Sequence, residues 1–316
     1  MRTVFIVNPN AKNGYSLKKW KMIENEVSAT LEDAEIYYTE YPNHAKDLVG
    51  KIKQQFEGER VLVVAVGGDG TVHEVINGAI SKEHLLVEFI PAGSGNDFMR
   101  GFSQKSTMHE SFKSIMSGLK NREPSQRFDS GFYQLGEYQK GFFVNNMGAG
   151  FDAHVVKRVN ASIMKKLFNR FSIGKLIYAF YIAKELFTFK PKNIQIEVDG
   201  ETHVFENTWL VAISNQPYIG GGMKIAPQAV PTDGLLDVTV VNNVSKLKLL
   251  FLFMTVFKGD HLRLREVKSL QGKEIQILPE DDVLVHADGE SVGHLTGNNQ
   301  NQGLFVSVKE KSWKKF

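Results

Sequence analysis

Cysteine is absent from all 316 residues. That absence removes a disulfide scaffold, a thiolate zinc site and a cysteine nucleophile, and it fits a reducing compartment. An excess of one charge is missing too. The 38 Lys and Arg against 35 Asp and Glu leave +3, too little for the whole surface to attract a polyanion. Long apolar stretches are lacking: the longest uncharged apolar run, 249–257, is far below the ~20 residues that span a bilayer. The start, Met1-Arg2-Thr3-Val4-Phe5-Ile6-Val7-Asn8-Pro9, has neither the longer apolar region nor the small-residue cleavage site of an export signal. The expected location is therefore the cytoplasm, with any membrane contact peripheral and transient. What is present is the balance of a globular chain, 42% hydrophobic and 23% charged, at a length that suggests two domains.

The first third alternates strand and helix signals. Buried-strand runs are expected at 3–7, 35–39, 60–66 and 85–90, and helices at 18–31, 44–56 and 72–80. Such alternation implies a parallel sheet with flanking helices. After about Phe128 the pattern changes to many strands with turn signals such as Asp199-Gly200 and Asp288-Gly289, which suggests a mainly antiparallel β-sandwich. Two helical stretches, 162–189 and 246–258, interrupt it. The expected division is an α/β domain over 1–127 and a sandwich domain over 128–316, and a return of the extreme C-terminus to the first domain is left open.

Chemistry concentrates where strands run into glycine-rich turns. Val66-Gly67-Gly68-Asp69-Gly70-Thr71 leaves a buried strand and enters a helix. Glycines let backbone N–H groups approach an anion with no Cβ in the way, and a helix N-terminus adds partial positive charge, so phosphate is the natural guest. Asp69 would repel phosphate unless a Mg²⁺ stood between them; the alternative is that Asp69 merely caps the helix. A second such turn, Pro91-Ala92-Gly93-Ser94-Gly95-Asn96-Asp97-Phe98, follows the next strand, and Asn8-Pro9-Asn10-Ala11-Lys12-Asn13-Gly14 follows the first. Parallel neighbours would bring all three loops to one carboxyl edge, where ligands bind in open α/β sheets.

These three loops together resemble the diacylglycerol kinase catalytic family, and most of all its bacterial lipid kinases; the resemblance extends over essentially the whole chain. Gly-Gly-Asp-Gly-Thr is shared with NAD kinases, whereas its combination with Gly-Ser-Gly-Asn-Asp is specific. The resemblance implies an NAD kinase/diacylglycerol kinase-like fold and an ATP- and Mg²⁺-dependent lipid kinase. Carried over by position, ATP contacts fall on Asn8, Pro9, Asn10, Ala11, Lys12, Thr39, Gly68, Asp69, Gly70, Thr71, Val72, His73, Glu74 and Ser94. His73 stands where the family usually has Asn, and the first loop departs from the commoner Asn-Pro-x-Ser-Gly. The resemblance makes Glu290 of Asp288-Gly289-Glu290 the proton acceptor, with Asp69 as its catalytic partner at the metal; read by itself that tripeptide is equally a hairpin turn. It also implies a structural Mg²⁺ on Asp233 with the main chain of Val230 and Leu235, where the alternative is an ordinary Asp-Gly turn.

Charge is uneven along the chain. Residues 157–192 carry nine basic and one acidic side chain with seven aromatics, and 244–273 carry seven basic and two acidic. Basic residues among aromatics suit an anionic lipid surface, although an apolar helical stripe is equally a core face. The partner expected is a lipid at a membrane surface, without nucleic acid, and a homodimer is left open. A kinase of a sphingoid or soluble, NAD-like acceptor and a non-catalytic nucleotide-binding regulator remain the alternatives.

Overall fold

The computed structural model describes residues 1–93, 96–102, 107–121, 124–161, 174–297 and 303–316, the side chains of 174–180 apart. The chain divides into two compact units, Met1–Phe128 with Lys311–Phe316, and Asp129–Glu310.

The first unit is built on parallel strands. β1 (Arg2–Val7), β2 (Glu35–Tyr38), β3 (Val61–Gly67) and β4 (Leu85–Pro91) lie in the order β2-β1-β3-β4, with Val4 opposite both Glu35 and Val63, and Val63 opposite Val87. All seven residues of β3 are buried, as expected of a strand covered on both faces. Between the strands run a 3₁₀ turn (Ala11–Gly14), α1 (Tyr15–Thr30), α2 (His44–Gln55) and α3 (Asp69–Ala79), followed by the single turn α4 (Asp97–Arg100) and α5 (Met108–Asn121). Trp20, Ile23 and Val27 bury one stripe of α1 against Phe5, Val7, Leu62 and Val64 of the sheet, and Phe112 and Ile115 of α5 join that cluster. Burying a side chain such as Trp20 fully contributes roughly 2–3 kcal/mol. The C-terminal residues belong here as well. Lys315 pairs with Val87, and its Nζ bonds the buried carboxylate of Glu88, which burial raises above its ordinary pKa against the pull of the lysine.

The second unit is antiparallel. It contains β5 (Gln126–Leu135, starting in the first unit), β6 (Gln139–Phe143), β7 (Asn146–Gly150), β8 (Lys192–Val198), β9 (Glu201–Ser214), the short pair β10 (Tyr218–Ile219) and β11 (Met223–Lys224), and β12 (Leu236–Asn242). β13 (Val267–Gly272), β14 (Glu274–Pro279), β15 (Val283–Ala287), β16 (Glu290–Leu295) and β17 (Leu304–Lys315, ending in the first unit) complete it. β9 is the organising strand: it pairs with β8, β7 and β12. Its alternating side chains serve two clusters. Val211 and Ile213 enter the sandwich core, while Leu210 and Ala212 face a second cluster. That second cluster takes residues from α6 (Phe151–Ala161), α7 (Gly174–Thr188) and α8 (Lys246–Val256).

Helical pattern alone predicts one helix over 162–189; the structure has α6 ending at Ala161 and α7 beginning at Gly174, and 162–173 lie outside the described residues. β7 is invisible to pattern reasoning, because Asn-Met-Gly-Ala-Gly has no alternation. It is a strand because β9 and β15 hydrogen-bond to its two sides. No described helix is long and apolar enough to cross a membrane.

Candidate active site

In the first unit, the loops after β1, β3 and β4 are tied to one another. Asn8 extends β1 by donating its N–H to Val66 O at 2.9 Å. Its side chain donates to Thr71 Oγ1 at 3.0 Å and accepts from Asn10 N at 3.0 Å, so one amide joins the first loop to the start of α3. Gly68 precedes α3, and Asp69 is the first helical residue. Asp69 Oδ1 accepts the N–H of Phe98 at 3.0 Å. The carboxylate therefore pins the β4 turn to the β3 turn. The two glycine backbones meet here: a Cβ on Gly93 would stand 2.5 Å from Gly68 Cα, and one on Gly68 would stand 3.1 Å from Gly93 Cα. Gly70, by contrast, faces open space, with no atom within 4 Å of where its Cβ would be.

The remaining positions expected at the nucleotide divide. Thr39 directly follows β2, its N–H on Val7 O of β1. Pro9, Asn10 and Ala11 lie in the first loop, where Lys12 adopts a left-handed conformation and sets its ammonium over the Tyr15 ring. Val72 is buried in the core, so any role it has at a ligand is through its main chain. The half-buried His73 ring lies against the Asn77 amide. Glu74 points elsewhere: its carboxylate accepts the N–H groups of Asn43 and Ala45 at 2.9 and 3.0 Å. It thereby supplies the N-terminal cap that α2 otherwise lacks, since Asn43 makes no side-chain cap bond. Ser94 lies outside the described residues.

In the second unit, Asp288 and Gly289 form the turn between β15 and β16 with positive φ of 46° and 83°, the geometry of a two-residue hairpin. Asp288 is the anchor. Its Oδ1 accepts from Asn145 N and Asn146 N at 2.9 Å, and its Oδ2 accepts from Val144 N at 2.8 Å. Gly289 O accepts from the Asn160 side chain of α6 at 2.8 Å. Glu290, next in sequence, is exposed. A fixed turn thus presents a solvated carboxylate.

The Val230–Leu235 loop is linked to this turn. Asn215 donates from Nδ2 to Val144 O and Asp129 O, each at 3.0 Å; Asp129 accepts Gly234 N at 2.9 Å and donates its own N–H to Pro231 O. Within the loop, Val230 O takes the N–H groups of Thr232 and Asp233, and Asp233 Oδ1 takes that of Leu235 at 3.0 Å. Asp233, Val230 and Leu235 therefore share one turn, in which Val230 O and Asp233 Oδ1 already accept main-chain N–H groups. Burial pushes the neighbouring Asp237 up to about 6; the Gln271 amide opposes this and the Asp233 charge adds to it. No group of three or more His, Asp or Glu able to hold a metal is found among the described residues.

Pattern reasoning missed several of these groups. Asp288 was visible only as a turn residue, yet it fixes three N–H groups of a segment more than 140 positions away. Ser214, Asn215 and Gln216 are buried with side-chain atoms that find no partner within the protein, and nothing in a strand end read from sequence signals that. His286 donates from Nε2 to Asp152 at 3.1 Å across Gly148, where a Cβ would fall 2.4 Å from the ring nitrogen.

Comparison with known proteins agrees with this organisation. The family model described as the diacylglycerol kinase catalytic domain matches residues 2–124, and that of the YegS C-terminal NAD kinase beta sandwich-like domain matches 145–306. YtlR of Bacillus subtilis, named as a lipid kinase, is 34% identical over 92% of this chain and 93% of its own. A diacylglycerol kinase of Mycobacterium tuberculosis is 30% identical over 72% of this chain and 70% of its own. A solved Bacillus anthracis structure, named as a diacylglycerol kinase, superposes with a TM-score of 0.73 at 22% identity, covering 99% of this chain and 96% of that one.

Proposed function

Since the chain belongs to the diacylglycerol kinase family, we propose that it transfers the γ-phosphoryl group of ATP to the hydroxyl of a lipid, with a diacylglycerol or related glycerolipid as acceptor. The observation that carries the reading is the three-loop edge of the first unit. There Gly68 and Gly93 touch backbone to backbone and Gly70 leaves an opening beside the N-terminus of α3, a surface without Cβ atoms that suits a triphosphate.

The residues fit a hard cation held jointly with phosphate. Asp69 is half-buried at the first turn of α3 and offers one carboxylate; a lone carboxylate leaves most of a Mg²⁺ shell to phosphate and water oxygens. When bound, the ion would neutralise charge on the phosphoryl oxygens. The Asp233 carboxylate with the Val230 and Leu235 carbonyls offers an oxygen-only set of the same hard character for a structural Mg²⁺. Main-chain amides of the glycine loops orient the phosphates, and Asn8 and Thr71 hold two of those loops in register. Glu290 accepts the proton of the lipid hydroxyl as its oxygen bonds to phosphorus. Asp288 acts at one remove, fixing where Glu290 stands.

The test is transfer from labelled ATP by the full-length chain, with diacylglycerol, a sphingoid base and NAD offered separately. Label should enter the glycerolipid. Glu290→Gln should lower turnover by about 10²–10⁴-fold, the usual worth of a general base, with nucleotide binding retained. Asp69→Asn keeps an acceptor for Phe98 N–H and should remove turnover through the lost charge. Undiminished transfer in both variants, or transfer to NAD alone, would overturn the assignment.

A further inference from the structure

α8 is a helix with two apolar faces. Leu249, Leu252 and Val256 are buried in the cluster that contains Trp209 and Phe151. The outward face of an ordinary surface helix is polar. Here it carries Leu247, Leu250, Phe251 and Met254, at 75, 40, 74 and 72% exposure, and Phe257 at 50% just beyond the last turn. Their spacing of three, one, three and three residues keeps them on one stripe. Lys246 joins a sixth apolar side chain to it, donating from Nζ at 2.9 Å to the carbonyl of Phe187, whose ring is 72% exposed.

The segment that carries the stripe is basic, with seven Lys and Arg against two acidic residues over 244–273. No acidic residue lies between Lys246 and Lys258. The two carboxylates of the surrounding segment are already held, Glu266 by Lys248 and Arg265, at 2.7 and 2.8 Å, and Asp260 by Arg263 at 3.6 Å. Lysines at both ends of an apolar stripe are what a helix lying in a bilayer interface requires: the rings and aliphatic chains enter the acyl boundary while the ammonium groups stay at headgroup depth. A second copy of this face would bury the same apolar atoms but would set its lysines against these, whereas an anionic leaflet offers opposite charge beside the apolar layer.

We propose that the exposed face of α8, with Phe187, inserts into the interface of an anionic lipid membrane and holds the protein there peripherally. The choice of lipid rests in part on the lipid-kinase reading, and the geometry of the stripe does not. A face so placed would let the protein reach an acceptor that never leaves the bilayer.

The experiment uses full-length protein and vesicles of phosphatidylglycerol mixed with phosphatidylcholine. Phe251→Trp supplies a reporter, because Trp20, Trp209 and Trp313 are all buried. Its emission should shift to the blue on mixing and be quenched by brominated acyl chains. Phe251→Gln combined with Met254→Gln should reduce sedimentation with vesicles at least tenfold, and Lys258→Gln about fivefold, the equivalent of ~1 kcal/mol per charge near an anionic leaflet. Transfer to a short-chain, water-soluble diacylglycerol should be unchanged in these variants. Vesicle binding that survives the double substitution, an unshifted tryptophan, or self-association that depends on α8 without lipid binding would each overturn the proposal. Absence of phosphoryl transfer in the wild type, with insertion intact, would refute the kinase reading and leave the docking face standing.

Discussion

Gly70→Ala separates folding from ligand binding at the proposed nucleotide site. Gly70 is in the first turn of α3, its φ is not in the left-handed region, and its Cβ would meet nothing within 4 Å. Alanine there loses less chain entropy on folding and suits a helix better, so the variant should be more stable by about 0.5 kcal/mol, up to ~1. The same methyl, however, fills the opening through which an anion would reach the amides of the turn. Nucleotide affinity should therefore fall about tenfold or more, ~1.4 kcal/mol. Gly93→Ala provides the contrast. Its Cβ would stand 2.5 Å from Gly68 Cα, where carbons in contact keep about 3.5–4.0 Å. The two turns must separate by about 1 Å, with an overpacking cost of about 1–3 kcal/mol. Stability and binding then fall together. Urea denaturation and calorimetric titration with ATP read both quantities. A Gly70→Ala protein that binds ATP as the wild type does would refute the placement of the triphosphate on this turn.

Asp288→Ala strands three backbone N–H groups of 144–146 and should destabilise the protein by about 3 kcal/mol in urea denaturation; the Glu290 carboxylate then loses its fixed turn, so transfer should fall even where folding is rescued at low temperature. His261 is fully buried, and Nε2 donates to Ile225 O at 3.0 Å. Burial holds its pKa below the ordinary 6.5. An unfolded chain therefore takes up the proton first, and the stability contributed by the neutral ring is present above pH 6.5 and lost as pH falls toward the folded value. His261→Gln should flatten the stability profile between pH 7.5 and 5.5; an unchanged slope would show that another group sets it.

The sequence by itself determined the alternation of strand and helix in the first 91 residues. Fully apolar, valine-rich runs such as 61–66 are short enough for strands buried on both faces, and glycine turns punctuate them. Local chemistry also marked the glycine loops, because it restricts which residues can occupy such turns, whereas the tripeptide of Glu290 stood out only through the family resemblance. What the tertiary structure decided lies in contacts between distant positions. Asp69 reads in sequence as a metal ligand or a helix cap, and only the tertiary structure adds the bond to Phe98 N–H that ties two loops together. Glu74, next to the glycine turn in sequence, caps α2 instead. β7 has no strand pattern and exists through its two neighbours, and Asp288 fixes a segment that no periodicity connects to it. Propensity and periodicity act over a few residues, whereas hydrogen bonds and packing between loops depend on which parts of the chain the fold brings within about 3 Å.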